Sequence, residues 1–449
     1  MKLTNNNHIS ETLQDNLKLM FRALKYKNYR LFVSGQSVSL IGTWIQMVSM
    51  LWLVYSITNS ALILGVVGFS GQIPMFVIAP FAGALADRVN KHKFILVTQI
   101  LALAQAFVLS VLVLFNLVSV WHLIVLSVIL GVINALDMPV RQSFVIEMID
   151  NNKEDIGNAI ALNSSMVNAA RLVGPSIAGI LIATVGEGWC FFLNSLSYLA
   201  VVTSLLKMKI TPVVHKAEDK KILKDISEGF KYSFGFPPIK YLISQLAVIG
   251  LFSSTITLLA PVVSKEMLHG NSSTFGFLMS AFGSGALMGA VYLLNKKTVL
   301  GLGKLIAGAA TLFGLSLILF SISHIFIFSV IIMLFAGLSN MLIIASTNTL
   351  LQTIVEEDKR GRVMSLYTMA FRGMSPFGNL LAGGLAGFIG TEFALASGGI
   401  VSLISGLLFL SRLPYLRNFI HPIYAKLGII DEVATGVQQA SSLSSPPSN

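Results

Sequence analysis

Residues 170–186 read ARLVGPSIAGILIATVG, and residues 371–387 read FRGMSPFGNLLAGGLAG. Laid together at one constant offset, Arg171 meets Arg372, Pro175 meets Pro376 and Gly186 meets Gly387. Each stretch is apolar except for its arginine and a few small polar residues. A second pair precedes them: GVINAL from Gly131 and GLSNML from Gly337, which match Asn134 with Asn340. The same patterns recurring in the same order describe two copies of one structural unit.

The surroundings of both copies say what kind of unit it is. The chain has 449 residues, 54% hydrophobic and 11% charged, where a soluble domain carries about 25% charged residues. Apolar runs of roughly 20 residues recur along it, the length a helix needs to cross about 30 Å of hydrocarbon. The short alternating strands of a membrane barrel are not seen. Twelve spans are expected, near 31–55, 62–86, 93–116, 121–146, 158–185, 188–207, 240–264, 274–296, 304–322, 325–352, 363–389 and 392–412. Six plus six in parallel repeat predicts two pseudo-symmetric six-helix bundles with a cavity between them. The chain then divides into an N-terminal segment 1–30, a bundle 31–207, a linker 208–239, a bundle 240–412 and a tail 413–449, with disorder expected from about residue 431. Cys190 is the single cysteine, so no intramolecular disulfide can form. The first apolar run lacks a small-residue cleavage site and is expected to remain as a helix.

Charge gives the orientation. Of the 31 Lys and Arg, 28 fall on the side of the N-terminus in this twelve-span reading, Lys265 alone falls on the other, and Arg171 and Arg372 lie within spans. The positive-inside rule places both termini in the cytoplasm. Orientation therefore explains the net charge of +11, and no nucleic-acid partner is expected. In the linker, Ile222, Ile226, Phe230 and Phe234 recur at helical spacing and predict an amphipathic helix on the membrane face.

After the second span comes GALADRVNKHK, Gly83 to Lys93. It resembles the signature loop of the major facilitator superfamily, G-x-L-a-D-R-x-G-R-K. Gly83, Leu85, Asp87 and Arg88 match; Asn90 replaces a glycine, where it is expected to keep a left-handed turn, and Lys91 replaces an arginine. The stretch around Arg171 resembles the same superfamily's antiporter motif, g-x-x-x-G-P-x-x-G-G, through Gly174, Pro175 and Gly179. KNYRLFVSGQSVSLIGTWIQ, INALDMPVRQSFV and RGRVMSLYTMAF liken the chain to the branch of enterobactin exporters, the transmembrane secretion effectors. The resemblance covers residues of about 25–412. It implies the major facilitator fold and a conformational latch of Gly83, Asp87 and Arg88 with Arg141. It also implies export, since the antiporter motif marks exporters more than importers.

A guanidinium deep in a span is costly, so Arg171 and Arg372 are expected to face protein or a wet cavity. Either they attract an anionic substrate or they brace helices by binding carbonyls freed by the prolines. Ser164, Asn168 and Arg171 make one polar stripe, and Ser365, Arg372 and Asn379 another. Asn134, Asn340 and Gln46 are further candidates for the cavity wall. Asp137, the acid clearly inside a span, is a candidate proton carrier or a structural partner of Arg141 one turn away.

No H-E-x-x-H, G-x-S-x-G or P-loop motif occurs, which argues against a membrane-embedded enzyme or an ATP-driven pump. The expectation is a secondary active exporter, proton-coupled by alternating access, for a small organic molecule such as a siderophore. The alternatives are multidrug efflux or import of a small solute. It is expected to be a monomer in a bacterial inner membrane, with no cofactor and no metal, and to hand substrate to a periplasmic or outer-membrane partner.

Overall fold

A computed structural model describes residues 22–86, 89–150, 152–210, 222–296 and 298–429. Among them only helices form regular structure. In hydrocarbon every backbone N–H and C=O must be satisfied within its own segment, and a helix does this.

The first half runs α1 (Lys27–Thr58), α2 (Ala61–Ala86), α3 (Lys91–Leu114), α4 (Val120–Met148), α5 (Lys153–Val185) and α6 (Glu187–Lys207). The linker forms α7 (Ile222–Gly235), whose Phe230 and Phe234 rings stack at 4.2 Å on its exposed side. The second half runs α8 (Pro237–Val262, continued by a π turn Val263–Met267), α9 (Ser272–Leu294), α10 (Leu302–Ser321) and α11 (Phe326–Ile354). It ends with α12 (Arg360–Thr368), a π turn (Met369–Gly373), α13 (Ser375–Ile389) and α14 (Thr391–Lys426). Eleven of these helices are long and apolar enough to cross a membrane. The remaining apolar segment, 360–389, is broken by its π turn into α12 and α13.

Pro376 permits the break. It has no N–H to give the carbonyl four residues back, which belongs to Arg372, and the helix re-registers there. Pro175 stands in the same relation to Arg171, yet α5 continues through it. The far-side turns after α5 and α13 are made by Gly186 (φ 85°) and Gly390 (φ 94°), a backbone that side chains rarely adopt. At the other end, α14 runs to Lys426, beyond the expected 412.

Arg22, Lys207, Pro237 and Lys359 mark one end of the bundle, the terminal face. The two halves meet chiefly at the opposite, far face, through α5 on α9 and α2 on α13. A Cβ on Gly276 would lie 2.7 Å from the Pro175 carbonyl oxygen, and one on Gly65 2.6 Å from that of Asn379. Only glycine admits such approach of two backbones. Tyr55 at the end of α1 donates to the Glu266 carboxylate, and Lys265 donates to Asn59 Oδ1 at 2.8 Å. Trp52 stacks on Phe275 at 6.0 Å. The far face is closed. On the terminal half, Ser164 and Ser165 of α5 and Gly361, Ser365 and Thr368 of α12 are exposed. There the helices of the two halves are not packed on one another.

Candidate functional site

Arg171 lies near the middle of the 33-residue α5, roughly 20–27 Å from either end at about 1.5 Å per residue. Its guanidinium carbon sits 5.6 Å from the Trp44 ring centroid on α1, a cation–π contact. Its carbonyl, freed by Pro175, faces α9, where a Cβ on Gly283 would lie 2.7 Å away. Arg372 projects from the π turn, is solvent-accessible, and donates from Nη1 to the Met138 sulfur of α4 at 3.3 Å. It thus reaches from the second half into the first.

Among the described residues neither arginine has a carboxylate partner, and neither donates to a backbone carbonyl. The prolines free the carbonyls of the arginines themselves, and those carbonyls point elsewhere. Beside the arginines, Asn134 is exposed one turn before Met138 on α4. Phe377 packs edge-on against Phe76 at 5.4 Å and Phe69 at 6.2 Å, and the Phe76 ring also lies against Gly373. The seam between the halves therefore carries two positive charges, an amide and aromatic rings.

Other expected wall residues are packed away. Gln46 is 3% exposed; it donates to Gln105 Oε1 at 3.2 Å and accepts from Asn194 Nδ2 at 2.5 Å. It ties α1 to α3 and α6 inside the first half and does not line the cavity. Asn340 is 6% exposed and donates to Ser253 Oγ on α8, so its match with Asn134 does not extend to its surroundings. Asn379 is buried at the contact of α13 with Gly68 on α2. The serine and glycine stripe of α1 also packs: a Cβ on Gly42 would meet the Asn194 carboxamide at 2.5 Å.

Asp137 is 1% exposed. Its Oδ1 accepts from Thr98 Oγ1 at 2.6 Å and Gln99 Nε2 at 3.2 Å, and its Oδ2 pairs with Arg141 at 2.6 Å. This cluster locks α4 to α3. Asp137→Ala should lower stability by on the order of 3 kcal/mol, because a partly buried Arg141 is left uncompensated. Adding Arg141→Gln should recover part of that loss, as read by thermal unfolding in detergent. A variant with unchanged stability and no transport would instead make Asp137 a coupling residue.

Asp87 and Arg88 of the expected latch lie outside the described residues. Gly83 falls in the last turns of α2, and Arg141 is engaged by Asp137. Asn90 does not take a left-handed turn. It is extended (φ −70°, ψ 102°) and caps α3, accepting from the Lys93 N–H. Lys91 pairs with Glu147 at 2.6 Å, joining the signature loop to the end of α4. In the antiporter-like motif, Gly174 packs on Trp44, while Gly179 and Pro175 pack on α9. The motif thus places Arg171 against one half and closes the far face against the other.

Residues 20–420 match the family model of transmembrane secretion effectors. The chain belongs to that family. It is a major facilitator transporter and not an enzyme. It is 27% identical to the staphyloferrin A transporter of Staphylococcus aureus, over 84% of this chain and 94% of that protein. It is 24% identical to the multidrug efflux pump Tap of Mycolicibacterium fortuitum, over 83% and 93%. Identity to the enterobactin exporter EntS of Escherichia coli is 25%, over 60% and 64%. Among solved structures, the nucleoside transporter NupG shares the fold with a TM-score of 0.69 at 12% identity, over 86% of this chain and 100% of that one.

Some site features were not read from the sequence. Met138 as the contact of Arg372 gave no signal, since methionine is unremarkable in a span. Gly276 and Gly283, seven apart on α9, did carry one: small residues two turns apart on one face mark close helix approach.

Proposed function

We propose that this transporter is a secondary active exporter of a small anionic organic molecule of the siderophore class. The observation that carries the reading is a pair of arginines at the seam between the halves with no carboxylate partner among the described residues. A guanidinium with no carboxylate partner attracts an anion, and its planar fork suits paired oxygens of a carboxylate or catecholate. The rings of Trp44, Phe76 and Phe377 offer apolar faces for an aromatic substrate. Relatives named for staphyloferrin A and enterobactin support this class, and the antiporter-like Gly174, Pro175 and Gly179 support export.

The charge asymmetry supports a cytoplasmic terminal face, so that the seam between the halves opens inward in a bacterial inner membrane. Substrate enters there, and a switch to the far-open state releases it. Asp87, Arg88 and Gly83 hold the terminal face closed in that second state, with Arg141 changing partner from Asp137 to Asp87. A proton moving inward drives the cycle. The two bundles, 31–207 and 240–412, move as units about the linker.

Cells that express the chain and are loaded with a catecholate should lose it several-fold faster than cells with an empty vector, and an uncoupler should abolish the difference. Export at full rate in uncoupled cells would overturn proton coupling, and equal loss from both strains would overturn export of this class. A second reading, multidrug efflux, is favoured by the likeness to Tap and by the aromatic walls. It requires that cationic dyes leave as fast as anions.

A further inference from the structure

A cavity of ≈ 600 Å³ opens at the terminal face of the second half, among the ends of α8, α10, α11 and α14. It lies away from the arginine pair. Its volume is within the range of about 300–1,000 Å³ usual for ligand pockets. Leu242, Leu410 and Leu413 form apolar wall, while Lys304, Arg417 and His421 are the ionisable groups that line it besides Tyr424. No Asp or Glu lines it, and among the described residues none of the three basic side chains has an ion-pair partner. All three are exposed. The wall is made largely by the last turns of α14, which continue past the expected end of the span to Lys426.

We propose that this cavity binds one anionic phospholipid of the adjacent leaflet. The headgroup phosphate sits between Lys304 and Arg417, His421 adds a hydrogen bond, and an acyl chain lies along the leucine wall. The argument is charge complementarity. A basic, acid-free rim at the ends of the apolar spans α10 and α14, over an apolar wall, matches a ligand with an anionic head and an apolar tail. The bound lipid fastens α14 to α10.

Native mass spectrometry on the purified full chain tests this, with phosphatidylglycerol, phosphatidylcholine or inorganic phosphate added. Phosphatidylglycerol should bind in a 1:1 complex, and neither phosphatidylcholine nor phosphate should reproduce it. Lys304→Gln with Arg417→Gln should weaken binding roughly thirtyfold, each cation near an anionic headgroup being worth about fivefold. The conservative pair Lys304→Arg with Arg417→Lys should retain it, which separates lost charge from a damaged fold. Equal binding of phosphatidylcholine, binding unchanged by the glutamine pair, or no bound lipid would overturn the proposal.

Discussion

Arg171→Gln and Arg372→Gln are each expected to cut export of an anionic substrate by roughly 10- to 100-fold while leaving expression and thermal stability near wild type. A hydrogen bond to a charged group is worth about 1.5–3 kcal/mol when its partner is lost, which sets that range. Stability should hold because neither guanidinium supports the fold through an ion pair or a carbonyl. Arg171 rests on the Trp44 ring and Arg372 on the Met138 sulfur. Efflux of a cationic dye should fall little or rise. Parallel export assays with an anionic and a cationic substrate, together with unfolding in detergent, check this. A uniform loss with falling stability would make the arginines braces.

Gly276→Leu should be nearly as damaging by a different route. Its Cβ would crowd the Pro175 carbonyl and the backbone of Gly179, and α5 and α9 cannot close on the far side without that contact. Overpacking costs about 1–3 kcal/mol. Here the cost falls on the far-closed state alone, so the equilibrium should shift roughly 5- to 150-fold toward the far-open state. A cysteine at Phe69, in a background where the buried Cys190 is replaced by Ser, should then label faster from the far side. Unchanged labelling with normal transport would mean that the two halves do not separate there.

The twelve apolar segments and the repeat were legible because hydropathy and spacing record what enters a membrane. Which way a polar side chain faces within it was not. Gln46 and Asn134 look alike as amides in apolar runs, yet Gln46 is bonded inside the first half and Asn134 is exposed. The neighbours of Gln46 carry the clue. Ser39 and Gly42 are small residues on its own face, and such a stripe marks a close helix contact more often than a wall. The repeat misled in the same way. Asn340 matches Asn134 in sequence, but Ser253 on α8 captures it. Asn90 was misread because its glycine-like role was taken from the family pattern, while an asparagine before a helix more simply caps it. The break at residues 369–373 was half visible. Both arginines precede a proline by four residues, but only tertiary packing decides that α5 continues through its proline while a π turn separates α12 from α13.

The most direct test is transport by the purified protein in proteoliposomes. Uptake of a catecholate should be driven by an imposed pH gradient, collapse when the gradient is dissipated, and fall at least tenfold in the Arg171→Gln, Arg372→Gln double variant. Uptake at the wild-type rate in that variant, with the protein folded and the gradient intact, would contradict the assignment of the arginine pair to the substrate.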